Sequence, residues 1–280
     1  MDDAQPALDA SRSFLIFPGD DDRKRERALA SGADAVILDL EDGVAEAGKD
    51  EARLRIDPFV EGGVGPVRLV RVNDPASTAG ERDLAAVARV PVAVVVPKAS
   101  LDSVARAAQT GRPVVALVED AAGVRDADAL AEHPAVVALA LGSADLGAAL
   151  GLVPRADGLE LAYVRSRLVV ASAAARIRPP LDGPCLSVHD ADALERETSI
   201  ARALGLRGKV CIHPGQVAVV HRVLAPTADE VEHARRVVAA WDELQAKGEA
   251  VGVVDGVLVD LPVVLRASRV IESDERSGTG

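Results

Sequence analysis

The sequence predicts a (β/α)₈ barrel of the TIM type with a C-terminal helical lid extension, in the α/β class. Three observations support this fold. The chain has 280 residues, a length that suits one barrel domain. Eight short apolar runs alternate with segments of helical spacing, as strands and helices do around a parallel sheet. Aromatic residues make up only 2% of a chain that is 49% hydrophobic, so aliphatic side chains must fill the core, which is typical of such sheets.

Each apolar run is about as long as a buried strand. In chain order, the predicted strands are residues 14–17, 35–40, 67–72, 92–96, 114–118, 136–141, 185–188 and 210–212. Segments with Ala, Leu, Arg and Glu at helical spacing lie between them, and the predicted helices are residues 23–30, 81–89, 101–109, 126–132, 159–177 and 190–204. This number of strand–helix units favours a closed barrel over an open sheet.

Beyond the eighth run, the sequence predicts an extension of the same domain. Thr227 and Glu230 match a capping box at the start of an amphipathic helix over residues 228–245. Asp255 and Gly256 predict a tight turn, and a last helix follows over residues 262–271. We therefore divide the chain into a barrel (1–224), a C-terminal helix and lid extension (225–272) and a disordered tail (273–280).

Composition narrows the functional class. The net charge of −12 disfavours a nucleic-acid partner, because binding phosphates needs a basic surface. Cys185 and Cys211 lie in apolar surroundings and are predicted to be buried free thiols. The N-terminus lacks a signal-peptide pattern, and no apolar run approaches the ~20 residues that span a bilayer. We therefore expect a cytoplasmic protein with no membrane partner.

Charged residues follow the predicted strands, at the end of a barrel where active sites form. Glu119 and Asp145 come after adjacent strands, so their carboxylates can share one ion. Oxygen ligands suit Mg²⁺, with Mn²⁺ as an alternative. Arg71 follows the third strand and is placed to stabilise a negative charge that develops on a substrate oxygen. A metal and an arginine together can hold an enolate, the intermediate of aldol and Claisen chemistry.

Each of these residues also has a structural explanation. Glu119 and Asp145 could cap the next helix, and Arg71 could be an internal ion-pair partner. Lys98 could form a Schiff base or could be a solvated or ion-paired lysine. One of Glu41 and Asp42 is expected to orient Arg71 or a metal-bound water, while the other satisfies a turn. His213, which also follows a strand, could be a hydrogen-bonded structural histidine or a catalytic one.

Several motifs occur in a fixed order along nearly the whole chain. They are Arg12-Ser13 with Pro18-Gly19, ADAVILDLED over residues 33–42, VRVN over 70–73, VPK over 96–98, Gly142-x-x-Asp145-Leu146, GKxCIHP over 208–214 and Asp260-x-Pro262. This ordered set resembles the HpcH/HpaI aldolase and citrate lyase family, in particular its citrate lyase β-subunit-like branch.

The resemblance implies a modified barrel, usually trimeric or hexameric, that binds Mg²⁺ through Glu119 and Asp145. It implies that Arg71 stabilises the enolate oxygen and that Asp260, in a C-terminal lid, acts as acid or base in a neighbouring subunit. The implied substrates are β-hydroxyacyl-CoA thioesters such as malyl-, citramalyl- or citryl-CoA, with a 2-oxo acid and an acyl-CoA as products. We predict catalytic roles for Arg71, Asp260, Glu41 and Asp42. The predicted substrate-binding residues are Arg12, Pro18, Gly19, Arg71, Lys98, Gly142 and Ser143.

Three departures from the family pattern leave other functions open. Asp20, Asp21 and Asp22 replace the usual loop after Gly19, and three acids would repel the diphosphate of CoA. Asp120 replaces a threonine and Ala144 replaces a glutamate. The alternatives are an aldolase that acts on free 4-hydroxy-2-oxo acids without CoA, and a lyase subunit that is active only within a larger complex.

Overall fold

The chain forms two compact units, and the strands of the first, Met1–Leu224, close into a parallel barrel. The computed structural model describes residues 4–61 and 65–278, and within them eight strands pair in sequence order, with the first also pairing with the eighth. The strands are β1 Ser13–Pro18, β2 Ala35–Asp39, β3 Val67–Arg71, β4 Ala93–Val96, β5 Val114–Val118, β6 Val136–Leu141, β7 Leu181–Asp182 and β8 Gly208–Cys211. The predicted barrel is confirmed.

Helices surround this barrel and follow its strands. Those of the first unit are α1 Ala4–Ala10, α2 Asp22–Leu29, α3 Lys49–Leu54, α4 Ile56–Val60, α5 Thr78–Val87, α6 Leu101–Ala108, α7 Ala121–Arg125, α8 Ala127–Ala131, α9 Ser143–Leu150, α10 Leu159–Ala175, α11 Ala191–Leu204 and α12 Val217–Leu224, with 3₁₀ turns at Glu46–Gly48 and Pro214–Gln216. Six helices of this unit were missed by the sequence analysis, namely α1, α3, α4, α7, α9 and α12. Its predicted helix over residues 126–132 corresponds to α8, and Asp126 separates α8 from α7.

Alternate residues of each strand face the barrel interior or the helices. Ala35 and Ile37 of β2 belong to the interior cluster, whereas Val36 and Leu38 pack in the layer between strands and helices. Because side chains alternate along a strand, Asp39 continues the interior row at the carboxyl end of β2. The same alternation carries Leu69 to Arg71 in β3 and Leu117 to Glu119 after β5. The rows that fill the core therefore end in charged groups at one rim.

The predicted seventh strand, residues 185–188, is wrong. The structure places β7 at Leu181–Asp182, paired with Ala140 of β6 and with Gly208 and Lys209 of β8. Asp182 is buried, and its carboxylate accepts hydrogen bonds from Arg165 and Lys209. A buried charge in a two-residue strand gives no apolar run, which explains the error. The free thiols of Cys185 and Cys211 are buried as predicted.

The second compact unit, Ala225–Gly280, contains α13 Ala228–Ala246, β9 Gly252–Val254, β10 Val257–Val259 and α14 Leu261–Gly278. The capping box at Thr227 and the turn at Asp255-Gly256 are confirmed: Thr227 and Glu230 exchange hydrogen bonds, and both turn residues have positive φ, of 52° and 78°. Within the part of the chain that the structure describes, none of the helices combines the length and the apolar composition that crossing a bilayer requires.

The expected disordered tail needs correction. Helix α14 continues to Gly278, so residues 273–278 are helical, while residues 279–280 lie outside the described residues. Residues 273–277 contain no proline or glycine to end the helix. Asp274 also lies 3.7 Å from Arg235 of α13, which ties the last turns of α14 to its neighbour.

Candidate active site

An aspartate and an arginine form an ion pair at the carboxyl ends of the barrel strands. Asp39 of β2 and Arg71 of β3 are register partners at the ends of their strands. The Arg71 Nε and Nη2 groups donate to the two Asp39 carboxylate oxygens, each at 2.7 Å. Burial opposes the charge on Arg71, but the bonds to Asp39 outweigh it and raise the pKa of the guanidinium. Arg71 is therefore held charged in one orientation.

Asp39 also shapes the loop that carries the predicted catalytic acids. Its Oδ1 accepts from the Glu41 backbone N–H at 3.0 Å, and its Oδ2 accepts from the Gly43 N–H at 2.9 Å. A Cβ at Gly43 would lie 2.3 Å from Asp39 Oδ2, so this close approach requires glycine. The sequence analysis gave Asp39 no role. The interior alternation of Ala35, Ile37 and Asp39 is the signal that could have identified it.

Glu41 lies between two cationic side chains. Lys98 Nζ donates to Glu41 Oε1 at 2.8 Å, and Arg71 Nη1 lies 3.0 Å from Glu41 Oε2. Burial raises the pKa of Glu41 despite these neighbours. Asp42 is exposed and lies 3.8 Å from Lys98 Nζ. Of the two predicted acids, Glu41 is thus the one that contacts Arg71.

Glu119 is the buried acid of the opposite part of the rim. Its side chain is 4% exposed, and its Oε2 accepts from the Lys98 backbone N–H at 2.8 Å. It lies against Gly142, where a Cβ would come within 2.3 Å of Glu119 Cγ. Burial raises the pKa of Glu119 to about 7. Its negative charge is therefore poorly compensated by the protein, which is a condition that a bound cation would relieve.

Asp145 is placed by the helix that follows β6. It lies in the first turn of α9, two residues after Ser143, and it is exposed. Val118 pairs with Leu141, so Glu119 and Gly142 are the next residues on neighbouring strands. Glu119 does not cap the helix that follows it. Asp120 caps α7 instead, by accepting a hydrogen bond from the Gly123 N–H at 2.7 Å.

The donor set fits a hard divalent cation. Glu119 and Asp145 offer only oxygen atoms, and Glu119 is a buried carboxylate in need of positive charge. Among the described residues, no group of three or more His, Cys, Asp and Glu forms a complete metal site. A cation held by these two acids would take its other ligands from water or substrate, as Mg²⁺ commonly does.

A cavity of about 460 Å³ opens beside Arg71. Pro18, at the end of β1, and His213, after β8, lie on its wall, and Lys24 and Arg27 of α2 contribute cationic groups. His213 Nδ1 accepts from the Gly215 N–H at 3.0 Å, so in the neutral ring the other nitrogen carries the proton and is a donor. The cavity therefore combines apolar walls with hydrogen-bond donors.

The remaining predicted site residues are distributed as follows. Gly19 follows β1 at the rim and donates to the Asp39 carbonyl at 2.8 Å, and Ser143 packs against Gly183. Arg12 precedes β1, at the opposite end of the barrel, where its backbone N–H donates to Asp34. The structure therefore does not bring Arg12 to the rim. Asp260 belongs to the second unit, and its Oδ1 accepts from the Val263 N–H at 3.2 Å at the start of α14.

Comparison with known proteins shows the family. The profile of the HpcH/HpaI aldolase/citrate lyase family matches residues 12–214. The (3S)-malyl-CoA thioesterase of Cereibacter sphaeroides is 34% identical over 94% of both chains. The mitochondrial citramalyl-CoA lyase of Rattus norvegicus is 30% identical over 93% of this chain and 85% of its own.

A solved structure shows the same likeness. CitE from Mycobacterium tuberculosis, crystallised with magnesium, acetoacetate and coenzyme A, superposes with a TM-score of 0.81 at 35% identity, over 96% of this chain and 100% of that one. The resemblance drawn from the motifs is thereby confirmed, and this chain belongs to the HpcH/HpaI aldolase/citrate lyase family.

Proposed function

We propose that the protein is a Mg²⁺-dependent carbon–carbon lyase that cleaves or forms β-hydroxyacyl-CoA thioesters of the malyl-, citramalyl- or citryl-CoA type. The products of cleavage are an acyl-CoA and a 2-oxo acid. The observation that carries this proposal is the fixed Arg71 guanidinium beside the buried, poorly compensated Glu119. The relatives named citramalyl-CoA lyase and CitE, the latter with magnesium and coenzyme A, support it.

Arg71 supplies the site for the enolate oxygen. A guanidinium has five N–H groups. Two of them bond to Asp39 and one faces Glu41, which leaves two for the substrate. In cleavage, Asp260 would take the proton of the hydroxyl group that is β to the thioester carbonyl, and the carbon–carbon bond breaks. The electron pair passes into the thioester, whose oxygen becomes negative and is stabilised by Arg71. Protonation of the α-carbon then yields the acyl-CoA.

Glu119 and Asp145 are the proposed ligands of Mg²⁺, with Mn²⁺ as a possible substitute. When bound, the cation would polarise the oxygens of the 2-hydroxy or 2-oxo acid and lower the cost of the charge that forms there. The roles of the other chain groups follow from their positions. Gly142 and Ser143, at the start of α9, would bind the acid end of the substrate, and Asp260 would move the proton.

The cavity suits the CoA portion of the substrate. Its apolar wall fits a pantetheine arm, and Lys24 and Arg27 could pair with phosphate groups. The acidic segment, residues 20–22, has local partners that reduce its repulsion of the CoA diphosphate. Asp21 caps α2 through a bond from the Lys24 N–H, and Asp22 pairs with Arg25 at 2.9 Å. This arrangement favours a CoA thioester over a free 4-hydroxy-2-oxo acid.

The test offers both substrate classes to the purified protein with Mg²⁺. We expect cleavage of citramalyl-CoA or malyl-CoA, little cleavage of 4-hydroxy-2-oxo acids, and loss of activity with EDTA. Cleavage of the free acids alone would establish the aldolase alternative. Inertness toward both classes, relieved by added partner subunits, would establish a lyase subunit of a larger complex. Trapping of Lys98 by borohydride would indicate a Schiff base and overturn the metal mechanism.

We further propose a cytoplasmic homotrimer or homohexamer in which Asp260 serves the site of a neighbouring subunit, as the family resemblance implies. Asp260→Ala and Arg71→Ala proteins should each be inactive alone. After subunit exchange, mixed oligomers should regain part of the activity, because some sites then contain both intact residues. Light scattering should give a trimeric or hexameric mass. Absence of any regain after demonstrated exchange would refute the shared site.

A further inference from the structure

Lys98 has an unusual backbone conformation for its place in the fold. Its φ is +44°, in the left-handed region that disfavours residues with a Cβ. Among the described residues, the other non-glycine positions with positive φ are Arg176, which ends α10, and Asp255, in the hairpin turn. Lys98 ends no helix and belongs to no hairpin. Strain of this kind persists where surrounding contacts enforce it, and it concentrates at functional sites.

Two contacts exploit this conformation. The backbone N–H of Lys98 donates to Glu119 Oε2, and its ammonium group donates to Glu41 Oε1, both at 2.8 Å. One residue thus joins the proposed metal ligand to the acid that contacts Arg71. Its side chain is 52% exposed, so solvent reaches the side chain while it holds Glu41.

We infer that Lys98 is a positioning residue that keeps Glu41 directed at Arg71 and Glu119 directed at the cation. This inference rests on the proposed function and assigns Lys98 a role other than direct substrate binding. The backbone bond fixes one oxygen of Glu119. The ammonium group holds Glu41 and competes with any cation that would draw Glu41 away from Arg71.

The inference predicts opposite effects on metal binding and on catalysis. Lys98→Met keeps the backbone N–H and the side-chain length but removes the positive charge. Mn²⁺ binding without substrate, measured by electron paramagnetic resonance, should tighten by about three- to tenfold, because a repelling charge is lost and Glu41 is released. The kcat for citramalyl-CoA should fall at least about tenfold with little change in KM, because Arg71 loses its fixed neighbour.

Three further variants make the result specific. Lys98→Arg keeps the charge and should return both readouts to within about threefold of the wild type. Lys98→Gly tolerates the left-handed backbone and keeps the N–H, so it should reproduce the effects of Lys98→Met in a stably folded protein. Arg106→Gln removes an exposed cation from α6, where Arg106 pairs with Asp102, and should change neither readout.

The outcomes separate this inference from the proposed function. A wild-type protein that binds Mn²⁺ and cleaves the thioester, together with a Lys98→Met protein that matches it, would overturn the positioning role alone. Weaker Mn²⁺ binding in Lys98→Met would also overturn it. A wild-type protein that binds no Mn²⁺ would overturn both, and tighter binding with reduced kcat supports both.

Discussion

Replacing Asp39 by asparagine should damage both stability and catalysis. The Asp39 carboxylate accepts four hydrogen bonds, two from Arg71 and two from the backbone of Glu41 and Gly43. An asparagine side chain accepts with one oxygen only and turns an NH₂ group toward N–H donors. The variant therefore loses one charge-assisted bond, worth about 1.5–3 kcal/mol, and one neutral bond, worth about 1 kcal/mol. It also leaves the Arg71 charge without its main partner.

We expect the free energy of unfolding to fall by about 3–5 kcal/mol, the range observed when one partner of a buried ion pair is removed. Urea unfolding at neutral pH measures this change, and kcat should fall by about two orders of magnitude because Arg71 is no longer fixed. Asp42→Asn is the matched control for stability. Asp42 lies in the same loop, but its side chain is 65% exposed. Its replacement should therefore change the free energy of unfolding by no more than about 0.5 kcal/mol. An Asp39→Asn protein as stable as this control would refute the conclusion that Asp39 holds Arg71 in place.

Other predictions address the two ends of the barrel. Gly142→Ala should weaken Mn²⁺ binding at least about tenfold, because the new Cβ would displace Glu119. Gly147→Ala, in α9, should not weaken it, because a Cβ at that position meets no atom within 4 Å. Burial raises the pKa of Asp34, but bonds from His221 and nearby backbone N–H groups lower it to about 2. The lowered pKa stabilises the folded state by about 1–2 kcal/mol after allowance for exposure. This stabilisation should be present above pH 4 and lost as the pH falls toward 2. The urea midpoint of Asp34→Asn should not show this loss at acid pH. Lys209→Met should lower the free energy of unfolding by about 3 kcal/mol, since it leaves a buried carboxylate short of one partner.

The sequence predicted most strands because their signal is local. Runs such as residues 35–40 combine high apolar content with a length that suits a strand, and the structure places β2 there. The seventh strand was not predicted because its stability comes from partners far along the chain. Arg165 and Lys209 make Asp182 acceptable in the interior, and neither is near it in sequence. Tertiary contacts of this kind leave no periodic pattern.

The site was predicted unevenly for a related reason. The strand-end rule identified Arg71, Glu119 and Asp145 because it depends only on chain direction. Arg12 was assigned to the site from a motif, although it precedes β1 and so belongs to the other end of the barrel. Asp39 was passed over because its role depends on the register between β2 and β3, which pairs it with Arg71. Register is not visible in either strand alone.

Charge balance at the rim supports Glu119 as a proposed metal ligand. Three buried carboxylates, on Asp39, Glu41 and Glu119, lie near the cationic groups of Arg71 and Lys98. Asp39 and Glu41 contact those cations directly, whereas Glu119 receives a backbone N–H and keeps a pKa of about 7. Among the residues that the structure describes, Glu119 thus has no direct ion-pair partner.

Asp145 adds a second negative charge after the next strand, and a divalent cation would balance the two together. The same balance disfavours a Schiff base, because burial lowers the pKa of Lys98 but its bond to Glu41 outweighs this and raises it, and a protonated amine is no nucleophile. Glu119→Gln removes the charge of Glu119 without changing the shape of the side chain. It should abolish Mn²⁺ binding while leaving the free energy of unfolding unchanged or higher. A Glu119→Gln protein that still binds Mn²⁺ like the wild type would refute this account of the rim.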